Sequence, residues 1–304
     1  MKMIITGTSG FIGSRLLQAA RLAYGEGVTA FSSRPAEGSH IIYRGLDDFS
    51  LGPEEIALVE KAEVLIHGGA FTPKSAAEAN QLAGCNGNIT STAQLLALPW
   101  KNLERIIFLS TLDVYANIDG PINEATPTVP SSLYGLSKLY GERMIALYAA
   151  ERGIASQVLR IGHVYGPGEE KYAKVLPKAI QNILAGKDVE LWGEGKELRS
   201  FIYIGDVVTA ILNAVNLREE PGVINVVSGN AISICDLLDK LIAVGGREVG
   251  ITRREFSGAT RDLVFDNQKL KRYLLPEETD FTHGLQAEFQ YLKNLAVGQQ
   301  QPCT

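Results

Sequence analysis

The chain of 304 residues is poor in the side chains that build cross-links and metal sites. Its three cysteines, Cys85, Cys235 and Cys303, are odd in number and far apart, which excludes a disulfide framework and a paired-cysteine metal spacing. The four histidines, His40, His67, His163 and His283, are equally scattered, so no metal site is expected. Surplus positive charge is missing as well. Lys and Arg number 29 against 34 Asp and Glu, a formal net charge of −5, which argues against nucleic acid as a partner. No apolar run approaches the roughly 18 residues of a membrane helix, so no membrane partner is expected. Met1 leads within two residues into MIIT, with no charged-then-apolar export segment before it, and a reduced, cytoplasmic setting is the expectation.

What the sequence does contain is alternation. KMIIT, VTAF, HIIY, EVLIH and RIIFLS read as short strands, with helical stretches at 11–24, 53–61, 80–97 and 134–152 and a sixth strand in ASQVLRIG. Strands that alternate with crossover helices predict an α/β fold, a doubly wound parallel sheet. After YGPG at 165–168 the pattern loosens into a helix over 172–186 and the turn-rich LWGEGKELRS. FIYIGDVVTAILNAV then resumes strand-then-helix, and GVINVVS reads as another buried strand. The expected organisation is a sheet domain from 1–165 plus about 200–227 and a smaller, interwoven domain from 166–199 and 228–296. A frayed tail is expected over 297–304.

Gly7, Gly10 and Gly13 in MIITGTSGFIG fall between the first strand and the first helix, spaced G-x-x-G-x-x-G. Glycines there permit a tight turn and close approach of backbone to a pyrophosphate, with the helix N-terminus facing the negative charge. This strand–loop–helix context points to a dinucleotide site.

Five further stretches extend the argument: TGTSGFIG, VLIHGGA, FLSTLDVYA, YGLSK and LRIGHVYGPG, followed by WGEGKELRSFIYIGDVV. In this order they resemble the extended short-chain dehydrogenases/reductases, the NAD(P)-dependent nucleotide-sugar epimerase/dehydratase family, over nearly the whole chain. The resemblance implies a Rossmann-like fold, a nucleotide-sugar substrate held by the smaller domain, and a homodimer paired through the 80–97 and 134–152 helices. It also implies cofactor contacts at Gly7, Gly10, Phe11, Ile12, Gly13, Gly68, Gly69 and Ala70, with Ser110 lining the nicotinamide side and Asp47 or Asp48 meeting the adenine.

Tyr134 and Lys138, at i and i+4 on one helix, share a face, so an ammonium can lie beside the phenol and favour the phenolate. By resemblance these two are the catalytic pair, and Thr111 contacts the reacting sugar oxygen and Tyr134. The dehydratases of the family carry an acid pair after that threonine, because eliminating water requires two positioned acid–base groups. Here the pair is Leu112–Asp113, so dehydration is not expected, while Asp113 remains able to touch a substrate hydroxyl. Arg199 and Arg261 match positions that bind the nucleotide's phosphates and ribose, work suited to the guanidinium fork. His163 stands where the family places a substrate-binding Asn, and a single hydrogen bond to substrate is expected of it.

The tip of the second strand, TAFSSRP, lacks an acid about 20 residues beyond the glycine loop, where one normally holds a ribose. Ser32, Ser33 and Arg34 suit a 2′-phosphate instead, which favours NADP over NAD. Three functions stay open. The first is a nucleotide-sugar epimerase, at C4 through a transient 4-keto sugar; the second is an NADPH-dependent reductase of NDP-4-keto sugars; the third is a silent dinucleotide-binding protein, disfavoured because Thr111, Tyr134 and Lys138 are all present.

Overall fold

In the computed structural model a seven-stranded parallel sheet forms the centre of the protein; the structure describes residues 1–33, 39–41, 51–75, 77–172, 174–256, 258 and 261–298. The chain begins β1 (Met3–Thr6), α1 (Phe11–Tyr24), β2 (Val28–Ser32), β3 (Ser39–Ile41), α2 (Pro53–Lys61) and β4 (Val64–His67). It continues through α3 (Leu82–Leu96), β5 (Arg105–Thr111), α4 (Leu133–Arg152), β6 (Ala155–Ile161) and β7 (His163–Tyr165). Then come α5 (Val175–Leu184), β8 (Val189–Trp192), β9 (Leu198–Tyr203), α6 (Ile204–Val215), β10 (Ile224–Val226) and β11 (Ala231–Ser233). The last elements are α7 (Ile234–Gly245), β12 (Ile251–Arg254), α8 (Gln268–Tyr273) and α9 (Phe281–Gly298).

The sheet runs β10-β6-β5-β4-β1-β2-β3, and each neighbouring pair is parallel. Its inner strands are apolar throughout because helices cover both faces. Along β1 the two-residue period divides the work. Met3 and Ile5 pack with Leu16 and Leu17 of α1 and with Val207 and Ile211 of α6. Ile4 faces the other way, toward Val59 of α2, Leu95 of α3 and Ile145 of α4. The doubly wound sheet foreseen from the alternation is therefore present, and α1 and α2 have the limits the sequence suggests.

A second apolar cluster joins α5, α7 and α9 through Ile180, Ile183, Leu237, Leu241, Leu285 and Phe289. Here β7 pairs with β9, and β9 with β11, while β8 pairs with β12. Helix α9 reaches Gly298, so the expected tail begins inside a helix; residues 299–304 lie outside the described ones. No helix among the described residues is long and apolar enough to cross a membrane.

Helix α4 is seated on β5 and on the 3-10 turn Leu112–Val114 that follows it, at two points where only glycine fits. A Cβ at Gly141 would fall 2.7 Å from the ring of Phe108, and one at Gly135 would fall 2.3 Å from the backbone oxygen of Asp113. Ser132 caps the helix, its hydroxyl accepting from Gly135 N at 3.1 Å, so the first turn is fixed where Tyr134 emerges.

A buried polar network closes the same seam. Glu142 of α4 accepts from Ser110 Oγ at 2.6 Å and takes a two-pronged contact from Arg160 of β6, at 2.9 Å and 2.7 Å. The Arg160 guanidinium lies 4.7 Å from the Tyr115 ring centroid, and the Tyr115 hydroxyl donates to Asn225 Oδ1 of β10 at 2.6 Å. Removing one partner strands a buried charge. Glu142→Ala is expected to cost about 3–5 kcal/mol of stability, read as a lowered midpoint in urea unfolding.

Candidate active site

The site assembles at the carboxyl ends of β1, β4 and β5, where an open α/β sheet binds ligands. Register sets Thr6 beside His67 and His67 beside Phe108, so the glycine segments after β1 and β4 meet. Gly7 has φ +78°, and a Cβ on it would lie 2.7 Å from the backbone of Gly68 and Gly69; a Cβ on Gly13 would lie 2.1 Å from Gly7 O. Gly69 N donates to Thr6 Oγ1 at 3.0 Å, and Ala70 follows, half-buried. Gly10 begins α1 without a side-chain cap; the Phe11 N–H faces the Tyr172 hydroxyl, which leaves the Ile12 N–H to a ligand. A backbone cradle of this kind at a helix N-terminus fits a dinucleotide's pyrophosphate.

Tyr134, Lys138 and Thr111 are all buried at the end of β5. Thr111 Oγ1 accepts from Asp113 N at 3.2 Å and donates to Asp113 Oδ2 at 3.3 Å. Burial raises the Tyr134 phenol well above its usual range, with Asp113 adding to the rise and hydrogen bonds with Thr72 and Thr111 opposing it. Burial also raises Asp113, against the pull of Thr111 and Arg261. Lys138 is pushed down to about 7 by burial, although Glu142 favours its charged form. Its ammonium stands 4.3 Å from the centroid of the Phe108 ring. Close by, His67 is held between Thr6 Oγ1 at 2.8 Å and Thr92 Oγ1 at 3.0 Å, and burial, with Lys138 second, lowers it to about 3. Burial thus outweighs the phenolate stabilisation expected from the i, i+4 spacing, and the Lys138 ammonium lies over Phe108.

The Ser110 hydroxyl, expected to line the nicotinamide side, donates to Glu142. At the β2 tip Ser32 is fully buried and Ser33 exposed, so the surface hydroxyl there is Ser33's; Arg34, Asp47 and Asp48 lie outside the described residues. Two residues that sequence reasoning passed over approach the phenol, Thr72 through a hydrogen bond and Tyr172 by its nearness. The Tyr172 ring lies 6.2 Å from that of Phe11, beside the cradle. Neither sits in a recognisable motif; their nearness comes from tertiary packing.

A pocket of about 200 Å³ is lined by His163, Glu169, Lys174, Arg199, Phe201 and Ile234 among others. Arg199 donates to Leu198 O at 2.8 Å and to Arg261 O at 2.6 Å, which ties the two arginine segments together. Arg261 contacts the side chain of Asn117 and lies near enough to bias both Asp113 and His163. His163 is lowered to about 4 by burial and then by Lys174, so its ring is neutral at pH 7, and its buried Nδ1 has no partner among the described residues. No group of three or more His, Cys, Asp or Glu able to hold a metal occurs among the described residues.

Residues 3–227 match the model of the NAD dependent epimerase/dehydratase family, and the protein belongs to that family. It is an enzyme of the extended short-chain dehydrogenase/reductase type, and its cofactor is a nicotinamide dinucleotide. YtcB of Bacillus subtilis, named an uncharacterized UDP-glucose epimerase, is 26% identical over 98% of this chain and 100% of its own. Among solved structures, the UDP-glucuronic acid 4-epimerase from Bacillus cereus in complex with NAD is similar with a TM-score of 0.80 and 25% identity, over 97% and 99% of the two chains. MoeE5 in complex with UDP-glucose and NAD is similar with a TM-score of 0.83 and 26% identity, over 97% and 100%.

Because the Lys138 ammonium is held at about 7 in the fold against 10.5 when unfolded, the unfolded chain binds more protons between those values, and stability rises with pH there. The cost of burying the charge is complete below about 7 and gone above about 10.5. Lys138→Met is therefore expected to be more stable than the wild type at acid pH, by at most ~1.4 kcal/mol for each pH unit that separates the two values. The gain should fade as pH rises, in urea unfolding at a series of pH values.

Proposed function

We propose that the protein epimerises a nucleotide sugar at C4 through a transient 4-keto sugar. The observation that carries this reading is Leu112. A dehydratase needs a proton-transferring group directly after the threonine; here that position packs with Val114, Tyr115, Val227 and Phe265 in an apolar cluster. Support comes from the relatives' names, epimerases among them, and UDP-sugars are the substrate class those names favour.

In this mechanism Tyr134 takes the proton of the 4-hydroxyl and later returns it to the same oxygen, while Thr111 holds that oxygen in line. Lys138, once charged, makes the phenolate accessible. A bound dinucleotide would supply reversible hydride transfer at C4, and inversion follows only if the 4-keto sugar turns over in the pocket so that its other face receives the hydride. Asp113 and the neutral His163 orient sugar hydroxyls, and Arg199 and Arg261 clamp the diphosphate. The sheet half, 1–165 with about 200–227, holds the dinucleotide, and the segments 166–199 and 228–296 hold the sugar nucleotide. A cytoplasmic setting accords with the free Cys85 and Cys235.

The choice of dinucleotide turns on the β2 tip. NADP rests on Ser33 and Arg34, since Ser32 is buried; the two solved relatives hold NAD. The tip also motivates the second reading, a reductase of NDP-4-keto sugars that exchanges NADPH at each turnover. We further propose a homodimer through α3 and α4. Leu82 on α3 is 65% exposed, and Leu136, Tyr140 and Leu147 form an exposed stripe along α4.

Tyr134→Phe is expected to lower kcat by about 10²- to 10⁴-fold while dinucleotide binding is retained; unchanged turnover rejects the mechanism. Mass spectrometry of nucleotide released on denaturation separates the two readings. Near-stoichiometric dinucleotide fits epimerisation; an empty protein that binds NADPH on titration fits the reductase. Tyr140→Asp is expected to shift the sedimentation coefficient from dimer to monomer.

A further inference from the structure

The wall of the pocket conceals two carboxyls that the proposed chemistry does not use. Glu169 opens the short 3-10 turn Glu169–Lys171 after YGPG, and Glu288 projects from α9; each is only 1% exposed. Lys174 pairs with Glu169 Oε1 at 2.9 Å, donates to Val164 O at 3.3 Å and lines the pocket with Arg199 and His163. The remaining oxygen of Glu169 and both of Glu288 are buried without a well-formed hydrogen bond among the described residues, and the one donor that bears on them is the Gly166 N–H, which favours the charged form of each. They do lie within hydrogen-bond reach of each other.

The surroundings supply little to offset this charge. Tyr165 on β7 and Tyr203 at the end of β9 face Glu288, and Tyr172 faces Glu169. Asp206 of α6 and Asp280 add negative charge around Tyr165. Arg15 of α1 bears on Tyr203 and stands 5.6 Å from the Tyr291 ring centroid, and Glu170 also faces Tyr291. Two buried carboxylates against one ammonium leave an uncompensated negative charge, which a protein interior relieves by keeping a proton. One proton lets either carboxyl donate to the other and pairs two of the three stranded oxygens.

We propose that Glu169 and Glu288 share one proton at neutral pH and act as positioning residues for Lys174, holding its ammonium at the pocket as a third cation for the substrate's diphosphate. This rests on the nucleotide-sugar reading above. Burial, then the neighbouring carboxylate, raises Glu288 to about 9, and burial raises Glu169 against the pull of Lys174. As pH climbs toward that value the shared proton leaves, and a second negative charge appears beside Lys174. The ammonium is then held more tightly by the pair and is less available to an anion in the pocket. Since an ordinary glutamate titrates at 4.5, the pair's contribution to stability is complete below that value, declines above it and is lost past about 9.

Two measurements on the full-length protein test this. UDP is titrated calorimetrically into the wild type and Glu288→Gln, whose amide mimics the protonated acid. Between about pH 7 and about pH 10 the wild-type Kd is expected to rise roughly fivefold more than that of the variant; parallel curves overturn the role assigned to Lys174. The infrared difference spectrum between ligand-free wild type and Glu288→Gln at neutral pH is expected to show one protonated carboxyl. Its absence overturns the shared proton whatever the protein binds. If that band is present but UDP binds neither protein at any pH, the positioning role is rejected together with the nucleotide-sugar reading, and the carboxyl pair stands as a structural feature alone.

Discussion

The contact of α4 with β5 and the turn that follows it is the constraint on which the rest of the structure depends. Backbone meets ring at Gly141 and backbone meets backbone at Gly135, so the helix cannot slide or lift without opening a void along the middle of the sheet. That seating carries Tyr134 and Lys138 to the end of the strand that delivers Thr111 and Asp113. It also buries Glu142 deeply enough to need Arg160 and Ser110, and through Tyr115 and Asn225 it reaches the far edge strand β10.

Burial dominates the electrostatics of the site. It pushes the phenol up and the ammonium down, so without ligand the pair rests near neutrality: a protonated tyrosine and a lysine poised between its two forms. Groups in that condition respond strongly to any charge placed beside them, because little water remains to screen it. The same physics governs His67 and His163, both held uncharged, and the two carboxyls beside the pocket.

Much of the fold was legible in the sequence because alternation and glycine placement are local signals. The strand–helix rhythm marks α1 and α2 without error, and the three glycines after β1 mark the cradle. The expected 80–97 helix is two residues shorter at its start and one at its end, and 172–186 shrinks to 175–184, as happens where helix ends are decided by packing. Side-chain destinations were less legible. Spacing places Lys138 on the face of Tyr134, yet its flexible stem lets the ammonium settle over Phe108. Ser110 turns to a glutamate 32 positions later, and Glu169 meets Glu288 from a helix more than a hundred residues on. No local pattern encodes such meetings.

Strand β10 bears on how the protein comes to be made. It pairs with β6 after an excursion through β7, α5, β8, β9 and α6, most of which belongs to the second cluster. Until residue 226 has been synthesised, the outer hydrogen-bonding groups of β6 have no partner, and a nascent chain presents an apolar, unpaired edge. The central sheet is thus completed late, by a segment that arrives only after half of the neighbouring lobe has been threaded. A chain released before that point exposes a template for association with other chains rather than a smaller working unit.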